Sequence, residues 1–103
     1  LARRRVAEAI DRALTAVRSA TARVGALEAA VAQSEEVTRI DRLALDAGAG
    51  VQSDYLTAEA NLFRVRAALT DARASEVIAR VELARVSGDL TTEWVAAHLE
   101  SVQ

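Results

Sequence analysis

Apolar residues step by four and three along the first part of the chain: Val6, Ile10, Ala13, Val17, Ala20, Val24, Leu27 and Val31. This is the a/d spacing of a heptad repeat, and it predicts a long helix with one seam against a neighbour. Near Ser34 the pattern shifts, and Val37, Ile40 and Leu43 follow at steps of three. A three-residue slip of this kind overwinds a supercoil locally. The expected helix runs from about Ala2 to Asp46, ~65–70 Å at ~1.5 Å per residue. Gly25 lies inside it and costs about 1 kcal/mol relative to alanine, which points to close packing against a neighbour.

The later half carries two such patterns. One seam reads Ala58, Leu62, Val65, Leu69, Ala72, Glu76, Ala79, Leu83, Val86, Leu90. The other reads Leu56, Ala60, Phe63, Ala67, Thr70, Ala74, Val77, Val81. A helix in a two-stranded coiled coil needs one seam; a helix with two has neighbours on two sides, as in a bundle or a wall of helices. Glu76, inside a seam, reads as a register-setting polar residue that meets Arg73, Arg80 or an arginine of the other arm.

Between the arms lies Gly48-Ala-Gly50, read as the tip of a hairpin over about residues 47–53. Glycine reaches φ > 0 at little cost and can end the first helix in a left-handed cap. Gln52 or Ser53 lies where the second helix begins, and Ser53 is a good N-cap. Asp54 then sits in the first turn, where a carboxylate favours the positive end of the helix dipole. The second helix is expected over about 54–87, with Gly88 as its C′ residue. Thr91 or Thr92 can cap a short last helix from Glu93 to about Leu99, with Trp94 packing it back on the arms and Ser101–Gln103 frayed. The predicted fold is all-α: a long antiparallel coiled-coil hairpin over 1–90, then a short C-terminal helix and tail over 91–103.

Composition narrows this further. Roughly a quarter of the chain is alanine, there is no proline, and the only aromatics are Tyr55, Phe63 and Trp94. Alanine buries little area, so a thick globular core is hard to build, while close helix pairing is favoured. All basic residues are arginine, and Arg3, Arg4 and Arg5 form the one basic cluster, read as a solvated helix face because no basic stripe continues it. With no cysteine, neither a disulfide framework nor a thiolate zinc site is possible. No apolar run approaches the ~20 residues of a membrane span, and no signal peptide is visible. The chain opens on Leu1 in what reads as mid-helix, so a fragment of a longer protein is expected.

No catalytic set stands out, and neither enzyme activity nor a cofactor or metal is expected. His98 is the one histidine, on a short amphipathic segment, and reads as a surface or packing residue. Glu35, Glu36 and Asp41 alternate with Arg39 and Arg42, which favours a solvated ion-pair face over a carboxylate site. Gly48-Ala-Gly50 lacks the Lys-Ser/Thr and the preceding strand of a phosphate loop. The tip itself, with Gly, Ala and Val, projects little bulk and suits end-on packing against another helical tip. Asp54 is open to two readings: an ordinary helix-start residue, or a functional one.

Several residues around the tip also form a pattern. Leu43-Ala-Leu-Asp-Ala-Gly48, Asp54-Tyr-Leu-Thr-Ala-Glu59, Leu62, Arg66, Ala72-Arg73, Val81-Glu-Leu-Ala84 and Gly88-Asp-Leu90 resemble the last periplasmic hairpin of TolC-like outer-membrane efflux proteins. The resemblance covers about Arg39 to Trp94; Arg5 to Thr38 resembles the preceding family helix mainly in coiled-coil texture. It implies a homotrimer with a β-barrel in the outer membrane and an α-barrel across the periplasm. Such ducts export drugs, metals or proteins, and their hairpin tips meet a periplasmic adaptor (membrane fusion) protein linked to an inner-membrane pump. On this chain the implied adaptor contact is Leu45, Gly48, Ala49, Gly50 and Val51. Asp54 matches an aspartate that rings the closed pore entrance in some members. Thr57 stands where some carry a second acidic residue, and Leu45 where the family often has an aromatic.

The competing reading is a generic coiled-coil interaction module, or the hairpin of an adaptor protein, which would be flanked by a lipoyl-like β domain. Under either, the isolated chain is expected to self-associate through its exposed seams, as an antiparallel dimer forming a four-helix bundle. No nucleic-acid partner is expected.

Overall fold

Two helices, α1 (Ala2–Asp46) and α2 (Gln52–Val102), account for nearly the whole chain and fold as an antiparallel hairpin. The computed structural model describes residues 2–102, with side chains described at those positions other than 2, 90, 93 and 100–102. Among the described residues there is no strand, and no helix is long and apolar enough to cross a membrane. The expected all-α hairpin is therefore the fold. Leu90, expected in the seam, and Glu93, expected early in the last helix, have side chains outside the described residues. Gln103 lies outside them altogether, while the backbone of Ser101 and Val102 is helical.

The chain divides into a tip unit, Ala22–Ala74, and a terminal unit, Leu1–Thr21 with Ser75–Gln103. In the tip unit, Val24, Leu69 and Ala72 form the buried core, with Leu27 and Val31 packed against it. Ala58 and Leu62 are also buried. These are the seam positions that the heptad spacing selects. In the terminal unit the same spacing buries Ala13 and Val86 and half-buries Val6, Ile10, Val17, Ala79 and Leu83. Glu76 is half-buried on this seam and pairs with Arg80, one turn along its own helix, at 3.8 Å.

The expected slip after Ser34 does not occur. The seam continues unbroken through Ser34, Thr38, Asp41 and Leu45, all buried or half-buried, while Val37, Ile40 and Leu43 are exposed. The reason is helical geometry. At 3.6 residues per turn, a repeated step of three drifts around the axis, and Ile40 ends ~180° from Val31. Ser34, Thr38, Asp41 and Leu45 stay within ~80° of it. Side-chain polarity does not redirect a helix already set by its longer apolar repeat.

Nor does α2 end at Gly88. Residues 93–99 are helical as expected, but they are continuous with α2, and the helix runs on through Val102, where a frayed tail was expected. Gly88 has no positive φ, so it forms no left-handed cap. Thr91 and Thr92 do not cap a new helix; their hydroxyls donate back to the carbonyls of Ser87 and Gly88, at 3.1 and 3.0 Å. Arg85 spans the same turn, bonding Glu82 on one side and Asp89 on the other. Trp94 is 59% exposed and stacks on His98, with ring centroids 4.6 Å apart, instead of packing back on the arms. Gly25 also lacks the expected close neighbour within the hairpin: a Cβ there, as at Gly88, would meet open space.

Candidate partner-binding tip

The tip is built by backbone hydrogen bonds. α1 closes with Ala47 N–H donating to the Leu43 carbonyl at 3.0 Å. Gly48 N–H then donates to Leu45 O at 3.0 Å, and Ala49 N–H to Ala44 O at 2.9 Å. This pair of bonds is a Schellman motif, which satisfies carbonyls left open at a helix C-terminus. It requires a left-handed residue at its C′ position, and Gly48 supplies it with φ of 77°.

Gly50 is needed for a different reason. Its N–H donates to the same Ala44 carbonyl at 2.9 Å, which draws the chain back over the end of α1. A Cβ there would lie 2.7 Å from the Leu45 nitrogen and 2.9 Å from the Ala44 carbonyl carbon. The sequence marks both glycines as one break; the structure assigns them separate tasks, conformational at Gly48 and steric at Gly50.

The second helix starts at Gln52, two residues earlier than a Ser53 cap placed it. Val51 is the residue whose carbonyl accepts the first helical bonds, from Asp54 N–H at 3.1 Å and Tyr55 N–H at 3.3 Å. Ser53 lies inside the first turn, where its carbonyl accepts the Thr57 hydroxyl at 2.8 Å. A valine cannot cap with its side chain, so the start of α2 rests on the turn geometry and on Asp54, which does lie in the first turn.

The five expected contact residues fall together around this turn. Gly48, Ala49 and Val51 are exposed, and Leu45 and Gly50 are half-buried. The outermost surface is thus backbone, one methyl group and one isopropyl group, with no charged side chain among the five. Asp54 and Thr57, the two pore-entrance candidates, line one side of α2 beside the turn. They share a groove of about 500 Å³ with Val37, Asp41, Asn61 and Arg64. Asp41, expected on a solvated charge face, is half-buried in this groove, because the uninterrupted heptad places it on the seam. The rest of that charge face divides: Arg39 pairs with Glu36 at an exposed site, while Glu35 reaches across to Arg66 at 3.6 Å.

No family model matches this chain. Searches of curated proteins and of solved structures likewise return no match. The functional reading therefore rests on the site itself.

Two charge features lie on the arms of the tip unit, Glu36 well inside α1 and Tyr55 beside the turn. The hydrogen bond from Arg39 holds the Glu36 carboxyl below its ordinary range, with the arginine's charge adding to it. Partial desolvation raises the Tyr55 phenol above its ordinary value, reinforced by a hydrogen bond with Glu59 and the negative charges of Glu59 and Asp46, and opposed by Arg42. Among the described residues no group of three or more His, Asp or Glu side chains is arranged to hold a metal ion. What the arrangement offers is a low-relief turn of uncharged residues joining two helix ends, flanked by a groove that holds Asp41, Asp54 and Arg64.

Proposed function

We propose that this chain is part of the periplasmic α-barrel of a TolC-like outer-membrane export duct, with its tip docking a periplasmic adaptor protein. The observation that carries the reading is the unpartnered second seam of α2. In the tip unit, Leu56, Ala60, Phe63, Ala67, Thr70 and Ala74 are all exposed, Phe63 at 77%. In the terminal unit, Val77 and Val81 are exposed at 59% and 64%. The first seam is already used within the hairpin, so the second awaits another helix, as in a closed wall of homotrimeric hairpins. Small residues at alternate positions allow that helix to approach closely.

The tip supports the second half of the proposal. An uncharged surface of glycine, alanine and valine suits the end of another helical hairpin, and through such an adaptor the duct meets an inner-membrane pump. Asp54 and Thr57 then lie at the pore entrance. The exposed glycines Gly25 and Gly88 fit the same picture, since each leaves backbone open to a close neighbour from outside the chain.

A photo-crosslinking residue at Phe63, in the protein within its cell envelope, tests the wall. Capture of a second copy of the same chain supports it. Capture of nothing, in cells where the protein accumulates, contradicts it and favours a free-standing interaction module.

A further inference from the structure

The seam of the tip unit changes character along its length. Away from the turn it is apolar, with Val24, Leu69 and Ala72 buried. Toward the turn α1 supplies Ser34, Thr38 and Asp41 before half-buried Leu45 closes the seam, while α2 buries Ala58 and half-buries Tyr55. The boundary is marked by Ser34, which is buried at 7% exposure and accepts a hydrogen bond from the Asn61 amide at 3.1 Å. One residue on, Glu35 pairs with Arg66 across the two helices. Turnward of these, among the described residues, no side-chain hydrogen bond links α1 to α2. Two surface grooves meet at Asn61: one of about 300 Å³ runs toward Ala30 and Val65, and one of about 500 Å³ runs turnward past Asp41 and Asp54.

Between Ser34 and Asp41 the α1 side of the seam thus removes less apolar area from water than the Val24–Val31 stretch does, and the polar groups that line it regain hydrogen bonds to water when the helices part. We propose that residues 34–61 form a local opening unit and that the Ser34–Asn61 pair is its clasp. The turn keeps its backbone bonds while the helices beside it separate and re-pair, and the apolar core stays closed. Parts of a fold with few buried contacts open at free energies well below the global value. This inference stands on the seam and does not depend on the duct reading.

Native-state amide hydrogen exchange on the full chain tests it. Amides of residues 36–45 and 53–60 are expected to exchange at least about tenfold faster than those of 24–31 and 65–72. The Ser34→Val/Asn61→Leu double variant, which replaces the clasp by apolar side chains, is expected to slow exchange at the turn side about fivefold or more and leave the core unchanged. Asn61→Ala removes the donor from a buried hydroxyl and is expected to speed turn-side exchange about fivefold. Equal protection on the two sides of Asn61 overturns the proposal. So does a change that spreads equally over core and turn in either variant, because the pair would then stabilise the hairpin as a whole.

Discussion

Replacing the four glycines one at a time by alanine separates the roles that the structure gives them. Gly25 and Gly88 lie in helix, without positive φ and with open space where a Cβ would go. Alanine there removes the helical penalty of glycine, and each variant is expected to gain about 0.5–1 kcal/mol. For a domain of this size that raises Tm by about 2–8 °C. Gly48 also has open space, but its φ of 77° disfavours a Cβ, so Gly48→Ala is expected to lose about 1–2 kcal/mol. At Gly50 the new Cβ meets backbone at 2.7 Å, and Gly50→Ala is expected to lose about 1–3 kcal/mol by forcing the turn apart. Asparagine distinguishes the two tip positions. It tolerates the left-handed region, so Gly48→Asn recovers part of the loss, whereas Gly50→Asn does no better than alanine. Circular dichroism melts at fixed protein concentration read all six variants. A destabilising Gly88→Ala would refute the continuous α2 and restore a helix break there; Gly48→Asn no better than Gly48→Ala would refute the Schellman turn.

Other expectations follow from the seams and charges. Leu69→Ala is expected to cost about 2–3 kcal/mol in urea unfolding, whereas Ile40→Ala stays within about 0.5 kcal/mol; comparable losses would mean that the seam follows the step of three after all. Tyr55 is the only tyrosine, so its phenolate absorbance reports one site. Its midpoint is expected above the ordinary value near ~10, and Glu59→Gln should bring it back toward that value. Because the folded state holds this proton more tightly, the associated stability is present below the unfolded midpoint and is lost as pH rises through the folded one. The isolated chain should sediment as a concentration-dependent dimer, weakened by Phe63→Gln; a monomer at every concentration would remove the case for seam-driven association.

Most of the fold was legible in the sequence because helical periodicity is a geometric signal. Val6 through Val31 and Ala58 through Val86 take up the seam positions their spacing assigns. The signal misled where residue type and geometry parted company. Val37, Ile40 and Leu43 are apolar and look like core, yet the heptad carries Ser34, Thr38 and Asp41 inward. At the tip, the Gly-Ala-Gly break located the turn but could not say which glycine was held by φ and which by crowding, since the crowding comes from the backbone of residues 44–45. Ser53 carried the better capping side chain, yet after the bonds that draw Gly50 over Ala44 the helix starts two residues sooner. Gly88 resembled a helix stop, but the surrounding threonine and arginine bonds are satisfied within one continuous helix. The Ser34–Asn61 pair joins residues 27 apart, which no local pattern announces.

The central claim is that the turn of Gly48, Ala49, Gly50 and Val51 is a working surface for another protein. Its most direct measurement places a photo-crosslinking residue at Ala49 in the protein within the cell envelope. The account predicts a crosslink to an adaptor-sized periplasmic protein, lost when Gly48→Val disrupts the turn. A crosslink only to copies of the same chain, or none at all, would contradict it.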